Sequence, residues 1–417
     1  MRVVVAPDKF KGSLEAPDVA AALEAGIRSV DPSAAVVRLP VADGGEGTLE
    51  AALGAGFTAW HVTVTGPVGQ PVEARFALRD RTAVVEMALA SGLEALPVDE
   101  HGEPVLDAGG ATSRGTGELV RAALDAGAGH VVLGVGGSAC TDGGAGLLQA
   151  LGARLLDARG EELGRGGAAL ARLDRVDLAG LDPRLADTEF VLAADVDHPL
   201  LGERGAAAVF GPQKGADPGQ VRALDAALAV LRDRLGDALG ESARHAADAP
   251  GAGAAGGVGY AALAVLGARR RPGVEVVLEF VGLADQLAGA DLVVTGEGSL
   301  DEQSLGGKTP LGVLGTARSA GVPAVAVCGR TTLEPGVLHE AGFLRTYALT
   351  DIEPDPRTCM REAARLLRQV GGRIAQDLPD LLPVPGTAAA HPTPAAAGDD
   401  ADADDRETDV EDREDSP

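Results

Sequence analysis

The lysines of this sequence are few and lie in glycine-rich segments. Four lysines stand against 32 arginines, at Lys9, Lys11, Lys214 and Lys308. A compact ammonium group on a flexible chain can hold a phosphate as a point charge, which the wide guanidinium fork of arginine does not reproduce. This placement favours anion binding for Lys9, Lys11 and Lys214. For Lys308, a chance position explains the placement as well as anion binding does.

The segment Asp8–Ser13 joins two of these lysines to the start of a helix. A predicted strand, Arg2–Ala6, ends just before it, and Gly12 and Ser13 open the predicted helix. Backbone N–H groups and the helix dipole would therefore add to the two ammonium groups. An N-capped helix with two solvated lysines is the plainer alternative. The position after a strand favours an anion site, with Asp8 and Ser13 in contact with the substrate.

Two further loops carry carboxylates between glycines. Asp43 and Glu46 follow a second predicted strand, and Glu297 and Asp301 follow a third. Carboxylates placed in this way can hold Mg²⁺, accept a proton or orient a hydroxyl group. A tight turn capped by its aspartate is the alternative for the first of these loops. If the three strands are neighbours in one sheet, their loops bring cations and carboxylates to the same edge.

A longer glycine-rich loop, 134–146, follows another predicted strand. Its Gly134, Gly136 and Ala139 match the G-x-G-x-x-A dinucleotide pattern, but glycine and alanine are so abundant here that chance produces such matches. An Asp-Gly-Gly sequence also interrupts the helix that the pattern requires. A phosphate-binding nest of backbone N–H groups is therefore preferred. Its predicted contributors are Gly136, Gly137, Ser138, Thr141 and Asp142.

Two isolated side chains complete the candidates. Arg114 stands just before a predicted helix and could grip a carboxylate with two hydrogen bonds. Asp195 follows a predicted strand and is preferred over the nearby Asp197 as a general base or metal ligand. A structural role in capping the turn explains Asp195 nearly as well. The sequence has no G-x-S-x-G or H-E-x-x-H motif, so hydrolase chemistry lacks support.

Composition narrows the class of protein. The 417 residues are 45% hydrophobic with only ten aromatic side chains, so burial depends on Ala, Val and Leu, which favours an α/β fold. A net charge of −26 would repel polyphosphate backbones and anionic lipids, so neither nucleic acid nor a membrane is expected as a partner. Three scattered cysteines argue against a disulfide framework, and the N-terminus does not resemble a signal peptide. A cytoplasmic location is expected.

The pattern of strands and helices predicts two α/β domains. Joining the two ends of the chain gives a doubly wound sheet in the order 2-1-3-4-5, with a ligand crevice at the carboxyl ends of strands 1 and 3. The first domain comprises 1–57 with 279–378, and an inserted α/β domain comprises 58–278. A disordered acidic tail is predicted at 379–417, where eleven acidic side chains follow position 398. The strands predicted for the first domain are Arg2–Ala6, Ala35–Leu39, Asp291–Thr295, Pro323–Cys328 and Arg345–Leu349.

Six ordered segments resemble the bacterial type I glycerate kinase family, over about Met1 to Gln376. They read APDKFKGSL, ADGGEGT, TSRGTGEL, LGVGGSACTDGGAGLLQALG, DVDHPLLGERGAAAVFGPQKGAD and TGEGSLDEQSLGGKTP. The resemblance implies a flavodoxin-like domain interrupted by a second α/β domain. It also implies ATP-dependent phosphorylation of (R)-glycerate, at either the 2- or the 3-hydroxyl.

Roles for the candidates follow from the chemistry of phosphoryl transfer, which also calls for Mg²⁺. Lys9 and Lys11 are predicted to neutralise the transferred group, and Asp195 or Asp43 to accept the hydroxyl proton. An NAD-dependent hydroxyacid dehydrogenase and a non-catalytic sensing protein remain as alternatives. A homodimer is one expectation, although the sequence does not specify an oligomeric state. The other assignments are Arg114 and Glu46 for glycerate, Lys214 with the 136–144 loop for nucleotide phosphates, and Glu297 with Asp301 for Mg²⁺.

Overall fold

The computed structural model describes residues 1–302 and 304–382. The predicted acidic tail lies outside the described residues from position 383 onward. The strands are β1 Arg2–Pro7, β2 Ala35–Arg38, β3 Thr58–Thr65, β4 Pro71–Arg79, β5 Thr82–Glu86, β6 His130–Gly134, β7 Arg154–Leu156, β8 Arg175–Asp177, β9 Glu189–Ala193, β10 Arg269–Arg271, β11 Leu292–Leu300, β12 Ala324–Thr331 and β13 Thr346–Ala348. The α-helices are α1 Ala16–Val30, α2 Thr48–Gly54, α3 Ala88–Ser91, α4 Arg114–Asp125, α5 Ala145–Ala150, α6 Ala206–Phe210, α7 Pro218–Leu239, α8 Glu241–His245, α9 Ala254–Ala264, α10 Gly273–Phe280, α11 Leu283–Leu287, α12 Thr309–Ser319, α13 Pro335–Ala341, α14 Pro356–Arg361 and α15 Ala363–Leu381.

The first sheet contains strands from both ends of the described chain. Its five strands are parallel and run in the order β2-β1-β11-β12-β13, as the doubly wound prediction requires. Helices α1 and α15 cover one face and approach closely at Gly26 and Gly371, where a side chain would overlap the other helix backbone. Helices α10 to α13 cover the other face. The predicted fold class is confirmed, and the winding reverses between β1 and β11.

The second sheet is formed by strands from the middle of the chain. Its order is β3-β4-β5-β6-β9-β10. Strands β3, β4 and β5 form an antiparallel meander, whereas β5, β6, β9 and β10 are parallel. Its main core includes Phe76, Leu133 and Phe190, packed against α4, α5 and α7. This is the second α/β unit that the sequence predicts.

Three short strands carry no clear signal in the sequence. Strands β7 and β8 pair only with each other. Strand β10 consists of three consecutive arginines, which lack the apolar alternation of a typical strand. Pairing with β9 at the edge of the second sheet gives β10 its extended conformation.

Two predicted domain boundaries fall inside helices. The boundary at 278/279 lies within α10, and the boundary at 378/379 lies within α15. Helix α15 continues because Leu378 and Leu381 extend the apolar spacing of Leu367 and Ile374 and are buried against the same core as α1. The exact domain limits therefore stay predictions from the sequence.

Helix α9 belongs to a long uncharged stretch of the sequence. Positive φ angles at Ala255, Gly256 and Gly257 break it near its start, and these residues are buried. None of the helices within residues 1–302 and 304–382 has the length and apolar character needed to cross a bilayer.

Candidate active site

A cleft of about 620 Å³ opens at the carboxyl edge of the first sheet. Loops after β1, β2 and β6 line it, together with the ends of β11 and β12. These two strands pair as far as Leu300 and Thr331, beyond the end of β1, so their last residues are free to line the cleft. Ten predicted site residues lie here: Asp8, Lys9, Lys11, Ser13, Asp43, Glu46, Gly136, Gly137, Glu297 and Asp301.

Asp8 is a buried carboxylate that lines the cleft. Its Oδ2 accepts a hydrogen bond from the Thr309 hydroxyl (2.6 Å), and its Oδ1 accepts one from the Lys9 backbone N–H (2.7 Å). Burial, with a contribution from the charge of Asp43, raises the pKa of Asp8 to about 7 despite these hydrogen bonds. A carboxylate held in place with a pKa near neutrality is suited to exchanging a proton with a hydroxyl group.

The ammonium group of Lys9 lies among carboxylates. It forms an ion pair with Glu46, and its Nζ is shielded from solvent. Glu86, at the end of β5, is close to this pair and accepts hydrogen bonds from the N–H groups of Gly47 (3.3 Å) and Leu49 (3.0 Å). Burial raises the pKa of Glu86 to about 7. No sequence motif marks Glu86, because its role depends on the contact between β5 and the start of α2.

Lys11 is exposed in the cleft, on the loop between β1 and α1. Gly12 adopts a φ of +72°, a left-handed conformation that glycine tolerates best. The hydroxyl of Ser13 donates a hydrogen bond to the carbonyl oxygen of Met360 (2.6 Å), which ties this loop to α14. Lys11 is thus an accessible cation on an anchored loop.

The end of β11 carries two further carboxylates into the cleft. Among the described residues, nothing forms a hydrogen bond with the buried Oε1 of Glu297. Burial is the main cause that raises the pKa of this carboxyl group. Asp301 lines the same wall, and its Oδ1 accepts a hydrogen bond from the Ser304 N–H (3.3 Å). Lys308, which directly precedes α12, brings a third lysine to the cleft.

The glycine-rich loop after β6 contributes backbone to the cleft, at Gly136 and Gly137. Strand β6 ends at Gly134, and α5 begins only at Ala145. A dinucleotide-binding turn needs a helix directly after its strand, so this loop is not such a turn. The dehydrogenase alternative therefore has no support in the fold.

Three side chains predicted to bind phosphate are buried: Ser138 and Thr141 within this loop, and Lys214, which contacts it. The ammonium group of Lys214 donates hydrogen bonds to the Ser138 hydroxyl (2.9 Å) and to the carbonyl oxygen of Cys140. Burial lowers the pKa of Lys214. Lys214 does not line the cleft, and its contacts are those of a residue that fixes the loop.

Lys214→Met is expected to lower the free energy of unfolding by about 1–3 kcal/mol, because the Ser138 hydroxyl and the Cys140 carbonyl lose their donor. The matched control is Arg222→Met, which removes an exposed cation from α7. Urea unfolding measures both variants. Equal stability of the two would show that the buried ammonium group does not support the loop.

Asp142 is buried and joins the same loop to the start of α4. Its Oδ2 accepts hydrogen bonds from the N–H (2.8 Å) and hydroxyl (3.0 Å) of Ser113, and its Oδ1 accepts one from the Gly144 N–H (3.1 Å).

Arg114 follows at the start of α4, where it pairs with Glu118 (3.1 Å) and lines a separate cavity of about 390 Å³. Its position therefore does not support the predicted grip on a substrate carboxylate.

Asp195 lies outside the lining of the cleft. Its Oδ1 accepts a hydrogen bond from the Gly273 N–H (2.7 Å), which connects the end of β9 to the start of α10. Burial, with a smaller contribution from Asp43, raises the pKa of Asp195 to about 6. Asp43 itself lines the cleft, with its Oδ1 bonded to the Gly45 N–H (3.1 Å).

The two sheets approach one another at the cleft through glycines. Gly44 lies against Gly273, and Gly136 lies against Gly45. A Cβ on Gly44, Gly136 or Gly273 would overlap the neighbouring backbone. The loop after β2 therefore contacts both the turn after β6 and the start of α10 only because side chains are absent.

Gly273→Ala is expected to lower the free energy of unfolding by about 1–3 kcal/mol, because the added Cβ overlaps the Asp43 carbonyl group. The matched control is Gly315→Ala in α12, where the added Cβ has no neighbour within 4 Å. Alanine has the better helix propensity there, so the control should be neutral or stabilising. Thermal or urea unfolding that gave the same result for both variants would contradict the tight contact.

The cleft also includes residues that no motif marks. They are Arg330, which is polar, and Leu349, Pro356 and Met360, which form an apolar wall. All four lie outside the six motif segments, and only the order of the strands brings them to the cleft.

Known proteins resemble this chain over most of its length. The model of the glycerate kinase family matches residues 3–379. A glycerate kinase of Bacillus subtilis (strain 168) is 44% identical over 381 residues, which is 91% of this chain and 98% of the relative. A glycerate 2-kinase of Escherichia coli (strain K12) is 46% identical over 352 residues, which is 84% of this chain and 90% of the relative.

A solved structure agrees with these relatives. The crystal structure of a protein assigned as glycerate kinase 2 from Salmonella typhimurium LT2 matches with a TM-score of 0.78 at 42% identity. The match covers 91% of this chain and 98% of that chain. The resemblance of the six sequence segments is confirmed by all three comparisons. The chain belongs to the glycerate kinase family.

Proposed function

We propose that this protein transfers the terminal phosphoryl group of ATP to a hydroxyl group of (R)-glycerate. The observation that carries the proposal is the cleft in which Lys11 and Lys308 lie with the carboxylates of Asp8 and Glu297. Phosphoryl transfer depends on such positioning and charge neutralisation more than on covalent catalysis. The names of the relatives support the same assignment.

The 2-hydroxyl is the proposed acceptor, which makes 2-phosphoglycerate the product. The support is the Escherichia coli relative, which is a glycerate 2-kinase. Transfer to the 3-hydroxyl is the alternative. A cytoplasmic location and a homodimeric state stay predictions from the sequence.

Asp8 is the proposed base. The hydroxyl oxygen of glycerate attacks the γ-phosphorus, the bond from that phosphorus to the β–γ bridging oxygen breaks, and ADP leaves. The hydroxyl proton passes to the Asp8 carboxylate, which Thr309 and the Lys9 N–H hold in place. Asp43 is the second candidate because it also lines the cleft, whereas Asp195 does not.

Glycerate is proposed to bind at the end of the cleft that contacts the second sheet. Gly136 and Gly137 border this end and offer backbone to the glycerate carboxylate, and Lys9 lies beside them with its ammonium group paired to Glu46. The buried Lys214 and the distant Arg114 are left out of this assignment. Lys11 is proposed to neutralise the transferred phosphoryl group, because it is the exposed lysine of the β1 loop.

Glu297 and Asp301 are proposed to hold Mg²⁺. The described part of the chain has no cluster of three His, Cys, Asp or Glu side chains poised for a metal ion. This is compatible with a nucleotide-bound Mg²⁺, which takes one or two protein carboxylates and completes its shell with phosphate oxygens and water. A cation near the buried Oε1 of Glu297 would offset the cost of burying that charge. When bound, Mg²⁺ neutralises phosphate charge.

The test is a coupled assay of ADP release with ATP and glycerate. Turnover is expected with (R)-glycerate in the presence of Mg²⁺ and is expected to stop when EDTA removes the metal ion. (S)-Glycerate and lactate serve as matched acids that differ in configuration or lack one hydroxyl. Folded protein that releases no ADP with any of these acids would overturn the proposal.

A further inference from the structure

The cleft has a charged half and an apolar half, which follow the order of the strands. Asp43 and Asp8 lie beyond the ends of β2 and β1, and Glu297 lies in the last part of β11. Leu349 and Met360 lie beyond the end of β13, at the opposite side. Neighbouring strands are about 4.8 Å apart, so four spacings separate β2 from β13 by roughly 19 Å. The cleft is thus much longer than a three-carbon acid.

Met360 is an exposed apolar residue in the lining of the cleft. Its side chain is 49% exposed. Its carbonyl oxygen accepts the hydrogen bond from Ser13, and its Cε lies close to Gly12. The Asp355 side chain caps α14 through the N–H groups of Arg357 and Thr358 (both 3.2 Å). Met360 is therefore presented to the cleft by an anchored helix.

The apolar wall continues from Met360 into the core. Leu349 and Cys359 are buried beside it, and Pro356 completes the wall. The Sγ of Cys359 donates a hydrogen bond to the Glu353 carbonyl oxygen (3.0 Å), so the thiol is already engaged. A flat apolar ligand could lie against this wall, which a small polyhydroxy acid cannot use.

Arg330 lies between the two halves. It is exposed on β12, lines the cleft, and pairs in register with Ser299 of β11. A guanidinium group at this point can bind phosphate oxygens with two hydrogen bonds. Along the sheet from β2 to β13, the cleft therefore presents carboxylates first, then the Arg330 cation and then the apolar wall.

We propose that the adenine ring of ATP binds against the apolar wall of Met360, Leu349 and Pro356, with its phosphates extending past Arg330 toward Lys11. This inference rests on the proposed function, since it identifies where the nucleotide of that reaction lies. Adenine supplies the flat apolar surface, and the phosphates supply the negative charge. The proposal assigns the nucleotide to the first sheet rather than to the loop after β6.

Isothermal titration calorimetry of the full chain with ADP and with tripolyphosphate tests this arrangement. Met360→Ala removes apolar surface without touching charge, so it should weaken ADP binding about tenfold and leave tripolyphosphate binding unchanged. Arg330→Ala should weaken both ligands, because both carry phosphates. Leu239→Ala, which truncates an exposed apolar side chain at the end of α7, is the control that should change neither.

Unchanged ADP binding by Met360→Ala, or equal weakening of ADP and tripolyphosphate, would overturn the assignment of adenine to this wall. Absence of ADP binding by the wild-type protein would also overturn it. Failure of the proposed function gives a different result, since it is seen as absence of ADP release in the assay with ATP and (R)-glycerate. ADP binding is measured without glycerate, so the two results are separate.

Discussion

Replacing Lys11 with alanine is expected to lower kcat about 10²- to 10³-fold, because the transferred phosphoryl group loses a cation that acts in the transition state. The side chain is exposed, so the melting temperature should change little. Steady-state kinetics and thermal unfolding measure the two effects on the same preparations.

The control for Lys11 is Arg222→Ala, which also removes an exposed cation but lies on α7, outside the lining of the cleft. It should keep both activity and stability, which separates a local effect from a change in the net charge of the protein. A Lys11→Ala enzyme with unaltered kcat would remove this lysine from the mechanism.

Replacing Asp8 with asparagine is expected to lower kcat by about 10² to 10⁴, the usual contribution of a general base. The same change should not destabilise the protein and should stabilise it at pH 8. The reason is that the pKa of Asp8 is raised from 3.8 to about 7, so folding is opposed by its ionisation. This destabilisation of the folded state by ionised Asp8 grows as the pH rises from 4 to 7 and stays constant at higher pH.

The pH dependence gives a second readout for Asp8. A base must be ionised to accept a proton, so kcat/KM of the wild-type enzyme should rise with pH through about 7. The Asp8→Asn enzyme should lose this rise in its residual activity. Asp43→Asn is the matched control, since it removes a cleft carboxylate but leaves Asp8 in place, so the rise should persist and move to lower pH because the Asp43 charge helps to raise the pKa of Asp8. If Asp43→Asn abolished the rise and Asp8→Asn preserved it, Asp43 would be the base.

The sequence predicts the sheets well because their signals are local. The apolar runs of β1, β11 and β12 and the charged loops after β1 and β11 are visible without a structure, and the doubly wound order places their ends together. Strand β10 has no such signal, because pairing with β9 rather than its own composition makes it extended. The end of α15 is also missed, since its burial of Leu378 becomes apparent only with the packed core.

For the side chains of the cleft as well, some positions can be predicted from the sequence and others cannot. Asp8, Lys9 and Lys11 are predicted correctly to lie at the crevice, because they directly follow a parallel strand. Lys214 illustrates the limit of such reasoning, because composition shows a lysine in a glycine-rich loop but not that its ammonium group is buried against Ser138. The apolar wall around Met360 has no motif, and only the position of α14 beyond β13 brings it to the cleft.

The most direct test of the account is the phosphorus NMR spectrum of the product formed from ATP and (R)-glycerate. The account predicts that the γ-phosphate signal of ATP is replaced by a monoester signal split by one proton, since carbon 2 of glycerate carries a single hydrogen. Splitting by two protons would move the acceptor to the 3-hydroxyl. Inorganic phosphate as the sole new signal, or an unchanged ATP spectrum with folded enzyme, would contradict glycerate phosphorylation itself.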